Sequence, residues 1–423
     1  MTILNQTIPM QTKTYRFLSA LLGICAVLSS GDLKAELLYS GRAQTLLYNY
    51  EDLLSTPSAS STDNYRFFQF LRLNLKNRGE KNTVSFHTYL RVTDDLKVNY
   101  SDDPNWRLYN GYLQWDTRLT GLTVGRQWLH LGPSSVTLDG VKMSVGGRGP
   151  NELTGYIGTE SPFTRKFDSN GFSKAGSGGL YFTTREIRNL NLGIGFYQKS
   201  RDGETAFREL GVNSTARLSS GFRLYSRLDV NLLNSSVQKG QVRLRYQGNE
   251  RVHFFGEYKH YEPRLFYKSY FQNFELTGNE QLRGGVTVFL KPEATLNLSY
   301  SEILHESENS GYLSLGLSCP YGSATYYRGN GYGDDENGFA VGASLPLILG
   351  RQELELYADL DYSRFHLYEL EDSDYLFSSL FGLNWTPRKQ ITAGVVFEDL
   401  NNKMYSKDFR VLFKFAYNFS SVF

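Results

Sequence analysis

The stretch Gly221-Phe-Arg-Leu-Tyr-Ser-Arg-Leu-Asp-Val-Asn-Leu-Leu233 alternates apolar and polar side chains with a period of two. Leu224, Leu228, Val230 and Leu232 fall on one face, and arginines, an aspartate and an asparagine fall on the other. Successive side chains of a β-strand point to opposite faces, so the stretch is predicted to be a strand with one apolar and one hydrophilic face.

The same alternation recurs from residue 36 to the end of the chain. We count about 22 such segments, with 18 to 22 as the range, and an even number is expected for a bacterial single-chain barrel. They begin near residues 36, 64, 82, 105, 120, 136, 150, 177, 191, 205, 221, 237, 251, 279, 294, 309, 322, 337, 351, 375, 389 and 407. The pattern predicts an all-β, transmembrane, antiparallel up-and-down β-barrel that forms one domain over residues 36–423, without a plug domain.

Connections between the predicted strands alternate in length. Those after even-numbered segments are short, as at 78–81 and 248–250, and those after odd-numbered segments are mostly longer, as at 159–177 and 262–278. Short turns on one rim and long loops on the other are typical of outer-membrane barrels. A soluble β-sandwich or propeller is the structural alternative, but the chain lacks the motif repeated every roughly 40 to 50 residues that a propeller needs.

Composition agrees with a large all-β protein. The 423 residues include 40 Gly, 30 Tyr and 28 Phe but only 2 Cys; aromatic residues favour strands, and glycines mark turns and close backbone contacts. The formal net charge of +2 lacks the basic footprint of a nucleic-acid-binding protein. No run of 18 apolar residues is present, which argues against a transmembrane helix.

The N-terminus has the pattern of an export signal. Two basic residues precede the apolar run 17–28, so residues 1–35 are predicted to be a cleaved signal peptide. A lipoprotein anchor at Cys25 is the alternative, but Ile24 is bulky for the position before such a cysteine. Without the signal only Cys319 remains, and no internal disulfide can form.

The last predicted strand alternates in the same way and ends on an aromatic residue. Its apolar parity comprises Phe409, Val411, Phe413, Phe415, Tyr417, Phe419 and Phe423. Here the chain resembles bacterial outer-membrane proteins, whose final strand carries an aromatic signal that the barrel assembly machinery reads. The resemblance implies the outer membrane of a Gram-negative bacterium as the location, that machinery as a partner, and an assembly signal at Phe415, Tyr417, Phe419 and Phe423.

A second resemblance is local. The stretch Leu122-Thr-Val-Gly-Arg-Gln-Trp-Leu-His-Leu-Gly132, followed by Asp139-Gly-Val-Lys-Met-Ser-Val145, is similar to the Gly-Arg-Gln strand, loop and Asp-Gly-Val strand of large substrate-diffusion porins, including the alginate-export type. This resemblance implies a porin and not a particular substrate.

Motifs for chemistry are missing. The six His residues are scattered without a Cys cluster, so we predict no metal site and no cofactor. The glycine-rich segments 146–149 and 329–333 lack the strand–helix context of a phosphate-binding loop. The acidic segment from Asp334 to Asn337 has ligands that could hold Ca²⁺, but it is interpreted as a solvated loop tip. No motif assembles a nucleophile with a base, so we predict no enzymatic activity.

The hydrophilic face of each strand should point into the barrel, because the lipid-facing side must be apolar. The predicted pore-lining residues are Arg72, Arg91, Arg223, Arg227, Arg243, Arg245, Lys259, Glu353, Glu355, Asp359 and Asp361. Basic and acidic strips on separate walls would set up a transverse electric field. Alternatively, these charges pair with their neighbours and only solvate the wall.

A barrel of about 22 strands, spaced about 4.8 Å apart, would be roughly 40 Å across. That is wide for an open pore, so we expect a narrowing element: the segment 159–177, the aromatic loop 265–275, or a partner in the lumen. In the segment 65–76 the apolar alternation sends Phe68 and Phe70 inward, which predicts a β-bulge.

The leading functional hypothesis is a porin, a water-filled channel for passive diffusion of small hydrophilic solutes or ions. The alternative is the barrel sheath of a porin–cytochrome electron conduit, in which the haems belong to a partner multihaem cytochrome. Both hypotheses require a wide barrel without a plug.

Overall fold

In a computed structural model, the described residues of the chain form one closed sheet of 22 antiparallel strands. The structure describes residues 36–52, 62–97, 104–147, 149–264, 278–291, 293–305, 309–331, 334–367, 373–402 and 408–421. The strands are β1 (Glu36–Asp52), β2 (Thr62–Arg78), β3 (Thr83–Asp95), β4 (Asn105–Asp116), β5 (Thr120–Leu131), β6 (Ser134–Val145), β7 (Asn151–Glu160), β8 (Gly176–Thr184), β9 (Leu190–Arg201), β10 (Glu204–Arg217), β11 (Phe222–Asn231), β12 (Ser236–Gln247), β13 (Val252–Tyr261), β14 (Asn279–Lys291), β15 (Ala294–Leu304), β16 (Ser310–Cys319), β17 (Gly322–Gly331), β18 (Asp334–Leu349), β19 (Gln352–Leu367), β20 (Ser373–Arg388), β21 (Ile391–Asn402) and β22 (Asp408–Ser420). Each strand pairs with the next in sequence, and β1 pairs with β22, which closes the barrel.

The predicted up-and-down antiparallel barrel is confirmed, and the strand number is the upper end of the predicted range. Strand starts agree closely with the sequence pattern; the largest difference is at β18, which begins at Asp334 rather than at residue 337. Asp334 to Asn337 are therefore the first residues of a strand, and their interpretation as a loop tip was wrong. The predicted signal peptide, residues 1–35, lies outside the described residues.

The two faces of the sheet differ as the alternation predicts. On β11, β12 and β20, Leu228, Val242 and Phe381 point outward and are 47%, 48% and 52% exposed. Residues of the opposite parity, such as Asp229, which is 1% exposed, point into the barrel. The outer surface is thus an apolar belt, and the interior carries the charged side chains.

Strand β2 keeps one register with both neighbours, so the β-bulge predicted between residues 65 and 76 is absent. Phe68 and Phe70 point inward with ring centroids 6.4 Å apart, and the Arg91 guanidinium lies 5.6 Å from the Phe68 ring centroid. The Gln69 side chain points outward, where its carbonyl oxygen accepts a hydrogen bond from Thr45 Oγ1 at 2.7 Å. The bulge is unnecessary because stacking accommodates the inward rings and Thr45 satisfies the outward amide oxygen.

The two rims differ in their connections. On one rim consecutive strands are separated by two to five residues in sequence, while the other rim carries the longer connections, among them 161–175 with the helix α1 (Phe172–Ala175). On this second rim β9 and β10 meet in the two-residue turn Asp202-Gly203, where φ is 51° and 82°; both values suit the type I′ turn favoured by Asp-Gly in hairpins. No helix of the described residues is long and apolar enough to cross a membrane.

The seam between β1 and β22 depends on a glycine. Gly41 pairs with Phe419 across the seam, and the Phe419 ring occupies the space that a side chain at position 41 would need. The carbonyl oxygen of Arg72 on β2 lies 2.7 Å from the same place. Only glycine allows β1 to lie this close to both neighbours.

We predict that Gly41→Ala destabilises barrel closure, because over-packing of a filled site costs about 1–3 kcal/mol. Refolding into detergent micelles, followed by heat-modifiable migration in SDS, should show a lower urea midpoint than for the wild type. Gly256→Ala is the matched control, since nothing lies within 4 Å of a Cβ at that position. Equal midpoints for the two variants would contradict the prediction.

Candidate functional site

The upper part of the β5–β6 hairpin leaves the wall and folds into the barrel. On β4 residues 105–108 and 110 pair with β3, but none of residues 105–110 pairs with β5, and β6 pairs with β7 only as far as Leu138. The tip of the hairpin, Gly132-Pro133, instead contacts β8, β9 and β10. We call residues 127–138 the lumenal hairpin.

A patch of inward-facing glycines receives the tip. Gly195 on β9 and Gly211 on β10 are cross-strand partners, and a Cβ on either would lie 2.8 Å from Pro133 Cδ. Gly132 has a φ of 59°, a left-handed conformation that favours glycine, and it lies against the ring of Tyr181 on β8. The wall lacks side chains where the hairpin backbone comes closest.

The hairpin is also packed by an apolar cluster. One of its faces meets the inner side of β7, β9 and β10, and Leu138 is fully buried there. The cluster comprises Leu129, Val136, Leu138, Tyr156, Tyr197 and Phe207. Burial of these apolar side chains stabilises the inward position of the hairpin, because they would otherwise be exposed to water.

A first arginine ties the tip to the wall. Arg227 on β11 donates from Nε to Oδ2 of Asp229 at 2.8 Å, and its Nη2 lies 2.7 Å from the same oxygen. Nη2 also donates to the carbonyl oxygen of Gly132 at 3.1 Å. Because Asp229 is buried beneath the tip, its charge requires this partner. The Arg227 guanidinium therefore neutralises the charge of Asp229 on the wall and also anchors the hairpin tip.

A second arginine repeats the arrangement. Arg264, just after β13, donates from Nη2 to Glu209 Oε2 at 3.0 Å and to the carbonyl oxygen of Pro133 at 3.1 Å. Glu209 is fully buried, and its partner lies 55 residues away in sequence. Removing one member of such a buried pair costs about 3–5 kcal/mol, so both arginines are structural as well as charged.

The opposite face of the lumenal hairpin carries exposed side chains. Trp128 is 63% exposed, and His130 on the same parity is also exposed. Since the other face lies against the inner wall, these two side chains point toward the lumen.

The hairpin is the narrowing element of the described structure. The segment predicted for that role at 159–177 lies at the wall instead, and the loop 265–275 lies outside the described residues.

The predicted basic strip on β11 to β13 faces inward but is largely paired. Arg227 contacts Asp229, Arg243 contacts Glu257, and Lys259 Nζ lies 2.9 Å from Glu257 Oε1. Arg223 and Arg245 are cross-strand partners without a carboxylate partner among the described residues. The alternative hypothesis, that these charges pair with their neighbours rather than set up a transverse field, thus applies to much of this strip.

The predicted acidic strip on β19 also faces inward; none of its carboxylates forms an ion pair within the described residues, and Lys414 on β22 interacts electrostatically with Glu355. Glu355 accepts hydrogen bonds from Ser344 Oγ at 2.9 Å and Asn384 Nδ2 at 3.0 Å. Asp361 accepts one from Tyr327 Oη at 3.2 Å. The other members are Glu353 and Asp359. Neutral partners hold these carboxylates in place without cancelling their charge.

A second set of inward arginines lies on β1 to β4, and we call it the arginine wall: Arg42, Arg72, Arg91 and Arg107. Arg42 pairs with Arg72 across β1 and β2, and Arg91 pairs with Arg107 across β3 and β4. No described carboxylate forms an ion pair with any of them. Two, Arg72 and Arg91, were predicted pore-lining residues.

Aromatic rings replace carboxylates as the partners of this wall. Arg72 lies 5.0 Å from the Tyr89 ring centroid, and Arg91 lies 5.6 and 5.8 Å from those of Phe68 and Tyr109. A cation above a ring face is stabilised without being neutralised. Uncompensated positive charge in the described lumen therefore lies on β1 to β4 as well as at Arg223 and Arg245 on β11 and β12.

The predicted assembly residues lie on the outward face of β22. Phe415 and Tyr417 are exposed, and Phe419 lies at the seam against Gly41. Phe423 lies outside the described residues. The outward position of these residues does not test recognition by the assembly machinery, so the assembly signal stays a prediction.

Sequence reasoning missed the residues that seat the hairpin: Gly132, Pro133, Gly195, Glu209, Gly211 and Arg264. One signal was available. The predicted long-loop rim has only a two-residue turn between β5 and β6, and inward positions of β9 and β10 are glycines where large side chains would be expected. A two-residue turn on the long-loop rim, together with inward glycines on nearby strands, indicates a hairpin that folds into the barrel.

Comparison with known proteins yields similarity of shape alone. No family model and no curated protein matches the chain. Among solved structures it is similar to Acinetobacter baumannii OccAB4 (12% identity, TM-score 0.46, 91% of this chain and 98% of that one), Pseudomonas aeruginosa OccK3 (OpdO) (12%, 0.42, 90% and 96%) and the P. aeruginosa outer membrane protein OpdK (10%, 0.41, 91% and 99%). The resemblance to the alginate-export type is not confirmed.

We predict that Gly211→Val unseats the lumenal hairpin, because the new side chain would occupy the space of Pro133. Chymotrypsin should then cleave at Trp128 in the folded barrel, where the wild type resists, since local protection falls when packing is lost. Gly240→Val is the matched control, because the nearest atom to a Cβ there is 3.6 Å away. Resistance of both variants would argue against docking of the hairpin tip on Gly195 and Gly211.

Proposed function

We propose that the chain is a porin that spans the outer membrane of a Gram-negative bacterium and lets small hydrophilic solutes or ions diffuse passively. The observation that carries the proposal is the closed barrel with an apolar belt outside and charged side chains inside. A closed sheet satisfies all backbone hydrogen bonds without an edge, which is what a strand protein needs in lipid. A polar interior suits an aqueous path.

The lumenal hairpin sets the size of what passes. It occupies part of the bore on the β8–β11 side, with Trp128 and His130 turned toward the remaining space. The bore that is left is narrower than the strand number alone implies. Solutes that pass must therefore be small.

Two uncompensated charge strips flank the path. Arg42, Arg72 and Arg91 lie in the middle third of their strands, as does Asp359 on β19. Walls of unlike charge at separate positions around the barrel, with β20 to β22 between them, produce an electric field in the lumen, which orients solutes that carry separated charges. We propose that passage depends on this field, with its basic side on the arginine wall.

The sheath of an electron conduit fits the described interior less well. A multihaem cytochrome would need the bore that the lumenal hairpin partly fills. The hairpin is anchored by two buried ion pairs, so displacing it would be costly. We therefore do not propose the conduit.

Recording of purified protein in a planar bilayer tests the proposal directly. A porin should produce discrete current steps without added partner, whereas a barrel that inserts but passes no ions would contradict the proposal.

Replacing Arg72, Arg91 and Arg107 together by Gln should shift ion preference toward cations, and replacing Asp359 and Asp361 by Asn should shift it toward anions. Local charge along a pore biases which ions enter. Reversal potentials under a salt gradient measure both shifts, which should weaken at high salt because the Debye length is about 3 Å at 1 M. Arg185→Gln, in an exposed turn, is the control. Unchanged reversal potentials in both multiple variants would assign these charges to wall solvation.

We also propose that residues 1–35 direct export and that the aromatic residues of β22 direct assembly. Replacing Tyr417 and Phe419 by Ser, or removing Phe423, should lower the amount of folded barrel while export continues. The ratio of heat-modifiable protein in the outer membrane to unfolded protein in the periplasm measures this effect. Normal outer-membrane levels of both variants would refute the assembly signal.

A further inference from the structure

Arg126 lies at the base of the lumenal hairpin and is 4% exposed. Its cross-strand partner is Asp139 on β6, and the two side chains form a bidentate ion pair, with Nε–Oδ1 and Nη2–Oδ2 distances of 2.6 and 2.7 Å. Both positions have the outward parity of their strands, which elsewhere carries apolar residues such as Val124 and Val141. A buried ion pair on that face requires a covering element.

The covering element is the first part of the β7–β8 connection, residues 161–170, which we call the wall loop. When the hairpin turns inward, it leaves residues 105–110 of β4 without a partner strand on the β5 side. The wall loop reaches this gap, since Leu108 N donates to Arg165 O at 2.8 Å. At its other side Ser161 N donates to Thr137 O at 2.9 Å, so the loop bridges β4 and β6 where the hairpin has left the sheet.

Arg126 bonds to every element around this gap. Beyond the two bonds to Asp139, Nη1 donates to Leu108 O at 3.1 Å and to Lys166 O at 2.8 Å. Nη2 donates to Asp168 O at 2.9 Å. A guanidinium has five N–H groups, and all five are used: two on Asp139 of β6, one on β4 and two on the wall loop.

We infer that Arg126 is a positioning residue that couples closure of the wall to the inward position of the lumenal hairpin. This inference rests on the proposed function only for its effect on conduction. Breaking the Arg126 contacts frees the wall loop from β4 and leaves Asp139 as a buried, unpaired charge. The gap then opens and the hairpin loses its fixed base, although its tip keeps the anchors at Arg227 and Arg264.

Lysine cannot replace Arg126, because an ammonium has three N–H donors on a single atom and no fork that matches a carboxylate. Arg126→Lys therefore keeps the charge but loses the simultaneous contacts. Asp139→Asn is a milder second variant, since the three bonds from Arg126 to backbone carbonyls can persist. Arg185→Lys, in an exposed turn, controls for replacing a guanidinium elsewhere.

Hydrogen exchange of the folded, detergent-solubilised barrel measures the coupling without reference to transport. We expect peptides covering 104–112 and 161–170 to exchange about tenfold faster or more in Arg126→Lys, a factor that corresponds to the loss of one hydrogen-bonded contact. Asp139→Asn should give a smaller increase. Peptides of β17 should match the wild type in all variants. Unchanged exchange in both Arg126→Lys and Asp139→Asn, or faster exchange throughout the barrel, overturns the inference.

Single-channel recording then separates this inference from the proposed function. Faster exchange together with noisier or larger current steps in Arg126→Lys supports both. Faster exchange in a protein whose wild type passes no current refutes the porin but supports the coupling. Wild-type current steps together with unchanged exchange support the porin and refute the coupling. If Arg126→Lys yields no folded barrel, the exchange of Asp139→Asn alone decides, and a pattern equal to that of the wild type refutes the coupling.

Discussion

Every backbone N–H and C=O of a strand needs a partner, and this requirement governs the whole molecule. Pairing of β1 with β22 removes the two edges that an open sheet would expose. The seam is close enough to need glycine at position 41, where the Phe419 ring fills the space of a side chain. An unpaired edge in apolar surroundings would leave carbonyl and amide groups without partners, at a cost of several kcal/mol each by the usual estimate for lipid.

The inward hairpin conflicts with that requirement, and the neighbouring structure resolves the conflict. Folding β5 and β6 into the lumen strips β4 of a partner over residues 105–110. The wall loop supplies a backbone acceptor to β4 in place of β5, at Arg165 O. The guanidinium of Arg126 donates to the carbonyl oxygen of Leu108 on β4 and to those of Lys166 and Asp168 in the wall loop. The Gly-Arg-Gln and Asp-Gly-Val segments thus have a physical role, because their Arg126 and Asp139 lie where the hairpin departs from the sheet.

Charge in the lumen follows a second rule: a buried charge needs a counter-charge, and a hydrated one does not. Under the hairpin tip, Glu209 and Asp229 are buried, and each has an arginine partner that also holds a backbone carbonyl of the tip. Arg72 and Arg91, by contrast, are held by aromatic rings, and the carboxylates of β19 by neutral donors. The first group builds the narrowing element, and the second leaves charge available to solutes.

Sequence alone predicted about 22 strands, every strand start except that of β18 to within two residues, and the alternating parity of the strand residues, because the period of two is a local property of every strand. It placed Arg227, Arg243 and Lys259 inside the barrel, but not their pairing with Asp229 and Glu257, since the strand period says nothing about which inward charges meet. The fold of the β5–β6 hairpin was decided only by tertiary contacts: Arg227 and Arg264 reach its tip from 95 and 131 residues away. Alternation fixes which way a side chain points, whereas such contacts depend on how the closed sheet brings distant strands to one lumen.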